Sequence, residues 1–321
     1  MRLAALPLLA SPLLLAHCGA KHDLVIGELT PLSEAGTTNA TSGSAGAATG
    51  GANALAGGGG TMAAGGSMDA GGTVALGGAA GAAGAAGGGN GACVIGAEPP
   101  LESLVHRYRF DDSGTTALDA VSGANGDVVG TTLDGSGVVT MSGDGREYVD
   151  LPNGIVSSLT DITIVTWMTW TGGAAYQRIF EFGSSNSGEG LGTSGRSYLA
   201  VIPMTGFEDQ AKPGLGAEMK APGFPTVTLA SVQDMHDRFA QVSLVFKSGV
   251  SAALYLDGNL LAAEPTAITL ADIDDRNNWI GQSQWQTDPV FQGSYEELRI
   301  YDVALDACQL HTLLVRGPQT P

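Results

Sequence analysis

A block rich in glycine and alanine sets the first limit on what this 321-residue chain can fold into. Residues 33–92 hold 21 Gly and 19 Ala and contain no aromatic residue, Lys or Arg. Such a segment buries too little apolar surface to offset the conformational entropy lost on folding. We therefore predict a disordered Gly/Ala/Ser/Thr-rich linker over 19–92; the alternative is a Gly-rich repeat domain with its own fold. The remaining 229 residues, 93–321, suffice for one large domain.

The chain begins with an apolar segment, Leu3 to Ala16, that follows a single Arg. Its 14 residues are fewer than the roughly 20 of a membrane-spanning helix, which is typical of a secretory signal peptide. The residues Leu15-Ala16-His17-Cys18 resemble the bacterial lipobox, in which the Cys is acylated. The resemblance implies a signal peptide over 1–18, a lipid anchor on Cys18, and a place at the outer membrane or cell surface. The alternative is an ordinary cleavage, for example after Ala20, which implies a secreted or periplasmic protein.

The chain has three cysteines, Cys18, Cys93 and Cys308. If Cys18 carries lipid, an even number remains in an exported chain, where disulfides persist. We predict a disulfide between Cys93 and Cys308, near the two ends of the domain. The chain-entropy model gives such a long loop roughly 5 kcal/mol of stabilisation. The alternatives are two free thiols or pairing with other chains.

The charge balance excludes whole classes of partner. Of the net charge of −18, −16 falls after residue 92, where 28 acidic residues face 12 basic ones. A surface this acidic repels phosphate backbones and anionic lipid headgroups. We therefore predict no nucleic-acid partner and no membrane contact other than through a lipid anchor. Divalent cations and neutral ligands remain compatible, and the alternative is that the charge serves solubility alone.

Residues 93–321 show the period-two alternation of short β-strands. The clearest case is the β-branched and aromatic run 162–170, in which Ile162, Ile164, Met168 and Trp170 share one face. Further strands are predicted at 104–110, 178–182, 198–202, 239–246, 279–281 and 295–301, and a hairpin at 253–261 turns at Asp257-Gly258-Asn259. Helical signal is weak and confined to 303–315. The pattern predicts an all-β, two-sheet antiparallel jelly-roll sandwich.

Five segments carry a family resemblance, in the family's order along the chain. They are LVHRYRFDD at 104–112, REYVDLP at 146–152, TDITIVTW at 160–167, LYLDGN at 254–259 and FQGSYEELRIYDVAL at 291–305. They resemble strands and turns of laminin-G-like, or concanavalin A-like, jelly-roll domains. The resemblance covers about residues 103–316 and implies the same sandwich.

The resemblance also implies a structural Ca²⁺ near the paired first and last strands. If those strands pair, Asp111 and Glu297 converge there, with Asp112 and Glu296 as substitutes. Hard cations favour such carboxylate oxygens. The alternative is a cross-strand charge ladder with three arginines of the same strands. They are Arg107, Arg109 and Arg299.

A second group of residues suggests a ligand site. Trp279 and Trp285 flank Gln282 and Gln284, and an aromatic ring beside amide groups suits stacking on, and hydrogen bonding to, a neutral sugar. We predict that these four residues bind a ligand. The alternative is that Trp279 belongs to the core and Trp285 lies on a loop.

The acidic residues do not form the pattern of the fold's enzymes. Some members of the family that the chain resembles are glycoside hydrolases, which carry Glu-x-Asp-x-x-Glu on one strand. This sequence has no such segment. We therefore predict a surface-anchored, non-enzymatic binding module that recognises carbohydrate or another extracellular ligand. The alternatives are a structural or adhesion protein that binds a protein partner without sugar specificity and, less favoured, a distant glycoside hydrolase.

Overall fold

The alternating segments form strands in the structure, a computed structural model that describes residues 97–206 and 213–320. The predicted signal peptide, Cys18, the linker over 19–92 and Cys93 lie outside the described residues. The strands are β1 Leu104–Tyr108, β2 Ser113–Gly114, β3 Thr116–Ala117, β4 Gly126–Val129, β5 Leu133–Asp134, β6 Val139–Met141, β7 Tyr148–Leu151, β8 Asp161–Trp170, β9 Phe180–Ser185, β10 Gly195–Ile202, β11 Gly216–Lys220, β12 Val227–Ala230, β13 Arg238–Lys247, β14 Ser251–Leu256, β15 Asn259–Pro265, β16 Asn277–Ile280 and β17 Gly293–Tyr301. One helix, α1 Ala307–Arg316, and two 3₁₀ turns, Leu101–Ser103 and Leu270–Asp272, complete the described elements.

Two large antiparallel sheets organise the described residues. The seven-stranded sheet has the order β1-β17-β8-β13-β14-β15, with β6 also paired to β17, and the eight-stranded sheet has the order β12-β11-β10-β9-β16-β7-β4-β3. Four of the six pairings in the first sheet and three of the seven in the second join strands that are not consecutive along the chain. The predicted all-β jelly-roll sandwich is confirmed.

The main core lies between the two sheets. The predicted face of β8, with Ile162, Ile164, Met168 and Trp170, belongs to it, as do Phe180 and Phe182 of β9. The opposite side of β8 contributes Val165 and Trp167 to a second apolar cluster beneath α1. The seven-stranded sheet is therefore packed on both faces at β8, whereas α1 does not cover the outward face of the eight-stranded sheet.

Helix α1 is shorter at its start than the sequence signal over 303–315. The carboxylate of Asp306 caps its first turn by accepting from the amides of Cys308 and Gln309, both at 2.9 Å. The side-chain oxygen of Gln309 accepts from the Asp306 amide at 2.9 Å, which completes a capping box. Among the described helices, none is long and apolar enough to cross a membrane.

The predicted hairpin is confirmed. Strands β14 and β15 are joined through Asp257 and Gly258, whose φ values of 49° and 72° lie in the left-handed region that such tight turns require.

Two irregularities shift the predicted alternation. In the strand predicted over 104–110, alternation puts Leu104 and Tyr108 on one face. In β1 a register shift between Leu104 and His106 instead places Leu104 in the cluster beneath α1, while Tyr108 faces the core. A similar shift in β17 lets both Tyr295 and Leu298 reach the core. One extra residue reverses the alternation of a strand beyond it, so period two fails across such a bulge.

Candidate ligand-binding site

The outward face of the eight-stranded sheet carries a row of acidic and aromatic side chains. Glu181 of β9 lies opposite Ala200 of β10 on one side and Trp279 of β16 on the other. Ala200 in turn lies opposite Glu218 of β11. Because Ala200 ends at a methyl group, space remains above the sheet between the two glutamates.

A cavity of about 250 Å³ fills that space. The side chains on its floor and walls come from strands β10 and β11 and from two loops. They are Tyr176, Arg178, Tyr198, Ala200, Ile202, Glu218, Trp285 and Asp288. The strand residues face outward because their neighbours Leu199 and Val201 belong to the core.

Arg178 forms the wall beside Glu181, and all three of its nitrogens are occupied. Nε donates to Oε2 of Glu181 at 2.6 Å, Nη2 pairs with Oδ2 of Asp288 at 3.0 Å, and Nη1 donates to the carbonyl of Tyr176. The guanidinium carbon also lies 5.3 Å from the centroid of the Trp285 ring. Arg178 therefore holds the site together, because each of its nitrogens has a partner in the wall of the cavity.

Glu181 is completely buried beneath this arrangement. Burial raises the pKa of its carboxyl to about 7, although the Arg178 guanidinium acts to lower that pKa. Oε2 also accepts from the amide of Gln284 at 3.3 Å, whereas Oε1 has no hydrogen-bond partner among the described residues.

Tyr198 of β10 and Glu218 of β11 are diagonal neighbours on the outward face. The Tyr198 hydroxyl donates to Oε1 of Glu218. Burial first, and then the nearby Glu218 carboxylate, raise the pKa of Tyr198, so this hydroxyl keeps its proton. The pair presents a phenol and a carboxylate to the cavity.

Trp285 is held in position by its loop and by the strand below it. Its ring meets that of Tyr198 edge to face, with centroids 5.1 Å apart. The Gln286 amide donates to the carbonyl of Gly192 at 2.9 Å, and the Gly192 amide donates to the carbonyl of Gln284 at 3.0 Å. At Gly195 a Cβ would lie 2.6 Å from Cη2 of Trp285, so the contact between the two rings requires glycine there.

The four residues predicted to bind a ligand divide into two pairs. Trp285 lines the main cavity, and together with Gln282 it lines a smaller neighbouring one of about 60 Å³. Trp279 is buried on the same face, edge to face with Tyr148 at 5.8 Å. Gln284 is fully buried, where its Oε1 accepts from Asn277 at 2.6 Å. Trp279 and Gln284 therefore pack around the site without lining either cavity.

The predicted pairing of the first and last strands is present, since β1 pairs with β17. Glu297 is completely buried and ion-paired with both neighbouring arginines: Nε of Arg107 lies 2.8 Å from its Oε1, and Nε of Arg299 also contacts Oε1. Asp111 lies beyond the end of β1 and is paired with Nη2 of Arg109 at 2.6 Å. These contacts favour the charge ladder.

The two substitute acids have other contacts. Asp112 accepts from the amide of Leu118 at 2.9 Å, and the carbonyl of Glu296 accepts from the Gln319 side chain at 3.0 Å. In residues 97–206 and 213–320, no group of three or more His, Cys, Asp or Glu is placed to hold a metal ion. The calcium site stays a prediction.

Cys308, in the first turn of α1, is disulfide-bonded. Both other cysteines lie outside the described residues, so its pairing with Cys93 stays a prediction. The chain near the start of the domain does reach this helix. Arg316 is ion-paired with Glu98 at 2.6 Å, and Gln309 donates to the Glu98 carbonyl at 3.3 Å.

Sequence reasoning missed most of the cavity. Tyr198 lies on the strand predicted over 198–202, and Glu218 lies on the neighbouring strand β11, which was not predicted. That both side chains reach the same cavity follows only from the register of the two strands. The sequence predicts a strand over 178–182 that includes Arg178, with Ile179 and Glu181 on one face. In the structure β9 begins at Phe180, and Ile179 belongs to the core together with Phe180. The available signal was Tyr198 itself, directly before the core residue Leu199 and therefore on the opposite face of the strand.

Two packed antiparallel sheets, with a cavity on the outward face of one of them, define the chain as a jelly-roll sandwich protein. It belongs to the concanavalin A-like lectin/glucanases superfamily, in which a laminin-G-type family model matches residues 143–311. A search of curated protein sequences found no match.

Several solved structures are similar to the chain. Domain 4 of AbnA, a GH43 extracellular arabinanase from Geobacillus stearothermophilus solved with arabinotriose, is 16% identical with a TM-score of 0.44, over 65% of this chain and 97% of that one. The CBM40 of Ruminococcus gnavus IT-sialidase, bound to α2,3 sialyllactose, is 19% identical with a TM-score of 0.42, over 56% and 96%. A Trypanosoma rangeli sialidase is 14% identical with a TM-score of 0.48, over 67% of this chain and 33% of its own.

Proposed function

We propose that this protein is a non-enzymatic binding module that holds a carbohydrate unit in the cavity beside Trp285. The observation that carries the proposal is the cavity itself, where the rings of Trp285 and Tyr198 stand beside the polar side chains of Glu218 and Asp288. Sugar recognition needs this combination of an apolar ring and hydrogen-bonding groups that fix orientation. Family membership supports the same function by analogy of fold.

The size of the cavity suits one sugar unit of a longer glycan. Its volume of about 250 Å³ lies below the range of roughly 300–1,000 Å³ in which proteins enclose drug-sized ligands. The smaller cavity on the other side of Trp285 extends the surface toward Gln282. Trp285 thus stands between two depressions along which a chain of sugars can lie.

The acidic groups around the cavity support binding over catalysis. A retaining glycosidase needs two carboxyl groups about 5–5.5 Å apart that flank the sugar bond and are free to act on it. Here Arg178 binds both Glu181 and Asp288, and Tyr198 donates to Glu218. Each carboxylate is held by a neighbour as part of the wall.

Trp285→Ala tests the proposal in the full chain on a glycan array. We expect it to weaken binding of any glycan recognised by the wild type at least about tenfold, since fully burying a large apolar side chain is worth about 1.5–3 kcal/mol. The matched control is Phe239→Ala, which removes an exposed aromatic ring, 48% accessible, from the other sheet. Equal binding by wild type and Trp285→Ala would contradict the proposal.

The second part of the proposal places the module at the cell surface, through a lipid on Cys18 and the segment 19–92 as a spacer. Within this segment the 60 residues of the Gly/Ala-rich block, 33–92, would as a flexible coil have a root-mean-square span of roughly 40–45 Å. That span is enough to separate a domain from a membrane. This part rests on the sequence. Cys18→Ala should move the protein from the membrane fraction to the soluble fraction, and unchanged retention would contradict it.

A further inference from the structure

The charges around the cavity carry information about the ligand that its shape does not. Two carboxylates, Glu218 and Asp288, line the cavity, and Glu181 lies next to it. The only positive group in the lining is Arg178. Lys220, farther along β11, donates to the carbonyl of Gly195 at 3.5 Å and does not line the cavity. In the lining itself, two carboxylates therefore outnumber one guanidinium.

The guanidinium of Arg178 is the group that a ligand carboxylate or phosphate would need. Arginine recognises such anions by presenting two parallel N–H donors. In this site each nitrogen already contacts Glu181, Asp288 or the Tyr176 carbonyl, and the Asp288 carboxylate already pairs with the positive charge of Arg178. An anionic ligand would therefore meet the Glu218 carboxylate without a compensating cation.

The surroundings of the cavity hold further acidic groups, together with Arg146, which lines the smaller cavity. Beyond Trp279 the row across the sheet continues with Asp150, which lies opposite it, and then Asp127. Burial raises the pKa of Asp150 to about 6, and the nearby Asp127 adds to that shift. The domain as a whole carries a large negative charge, which attracts cationic ligands over several ångströms.

The aromatic walls favour the same charge. A cation over the face of Trp or Tyr is attracted by the quadrupole of the ring. Trp285, Tyr198 and Tyr176 all line the cavity, and the Tyr198 hydroxyl already donates to Glu218, which orients that carboxylate. Aromatic rings around a carboxylate form a suitable environment for an ammonium group.

We propose that the cavity prefers a sugar unit that carries a free ammonium group, with Glu218 as the residue that selects for the charge. The inference rests on the proposed function and narrows it, because it names the chemical class of the sugar. It excludes sialylated and other anionic glycans as ligands of this cavity.

The test compares two oligosaccharides that differ at one position of each sugar. Fully deacetylated chitotetraose carries an amine where cellotetraose carries a hydroxyl, and 3′-sialyllactose serves as the anionic probe. Titration calorimetry of the full chain at about pH 6, where ordinary carboxylates are ionised, should show the amino sugar binding at least about tenfold more tightly than cellotetraose. Sialyllactose should not bind.

Glu218→Gln keeps the shape of the side chain and removes its charge. We expect this variant to bind the two tetrasaccharides within about twofold of each other. Glu264→Gln makes the same change in net charge at an exposed position of β15 in the other sheet, and it should keep the tenfold preference. Folding of each variant is checked by its melting temperature.

Three results would overturn the inference. They are equal binding of the two tetrasaccharides by the wild type, no binding of the amino sugar at all, and loss of the preference in both variants, which indicates nonspecific attraction to an acidic protein. None of them decides the proposed function, because the effect of Trp285→Ala on the glycan array is measured separately.

Discussion

At the scale of single residues, the pair formed by Arg178 and Glu181 decides the shape of the cavity. Both side chains are almost inaccessible to solvent, at 5% and 0%. Removing two charges from water costs several kcal/mol each, so such a pair persists only where further hydrogen bonds satisfy it. Here Asp288, the Tyr176 carbonyl and the Gln284 amide supply those bonds. The pair thereby connects β9 to the loop that carries Trp285.

The buried carboxyl of Glu181 makes stability depend on pH. Its pKa in the folded chain, about 7, lies above the ordinary 4.5, so between these values the native state keeps a proton that the unfolded chain has lost. Stability from this group is therefore lost as the pH rises from about 4.5 to about 7. Relative to Glu181→Gln, the wild type should lose up to about 3 kcal/mol over this range, measured by urea unfolding. Parallel pH profiles of the two proteins would show that Glu181 titrates normally, and Glu264→Gln is the control.

At the scale of elements, the pairing of β1 with β17 is secured by a buried ion triad and by the end of the chain. Arg107 and Arg299 both contact Glu297, and Nη2 of each donates to the carbonyl of Thr320 at 2.9 Å. The Gln319 amide donates to Oε2 of Glu297 at 2.6 Å. The last residues of the described chain therefore lie over the outer side of these strands and exclude water from the triad.

Glu297→Gln should destabilise the domain much more than Asp111→Asn. The first leaves two buried guanidinium groups without a counter-charge, which costs about 3–5 kcal/mol. The second breaks an ion pair whose side chains are both 39% exposed, which is worth less than about 1 kcal/mol. Chemical denaturation measures both changes.

The same measurement bears on the predicted calcium site. With arginines bound to both Asp111 and Glu297, we expect millimolar calcium or chelator to leave the melting temperature unchanged. A rise on adding calcium that disappears in Glu297→Gln would instead support a metal ion between the strands.

At the scale of the whole molecule, the two ends of the domain meet at α1. The contacts of Glu98 with Arg316 and Gln309 bring the chain before β1 to the helix that follows β17. Glu98 lies five positions after Cys93, and Cys308 is the second residue of the same helix. This closure is the geometry that the predicted disulfide needs.

Reduction should therefore lower the melting temperature clearly. A cross-link that closes so long a loop stabilises the folded state by up to roughly 5 kcal/mol in the chain-entropy model. Cys93→Ser and Cys308→Ser should each abolish the difference between oxidised and reduced samples, and Cys18→Ser should not. Two titratable thiols in the exported protein, counted under non-reducing conditions, would contradict the pairing.

The sequence by itself determined the class of fold and its most regular parts. The alternation in β8 and the Asp257-Gly258 turn are local patterns, since a strand with one buried face and a turn with positive φ each demand particular residues within a few positions. The family motifs added the order of the strands in a known architecture.

Only the tertiary structure decided the cavity and the ion pairs. Arg107 and Glu297 are 190 positions apart, and the cavity joins Tyr176 to Asp288 through strands whose register is decided by packing of the core face. The side chains on the outward face have no hydrophobic periodicity of their own, so their neighbours are determined by that register alone. Whether a given carboxylate meets an arginine, a phenol or solvent therefore depends on strand order and on bulges, which are properties of the whole sheet.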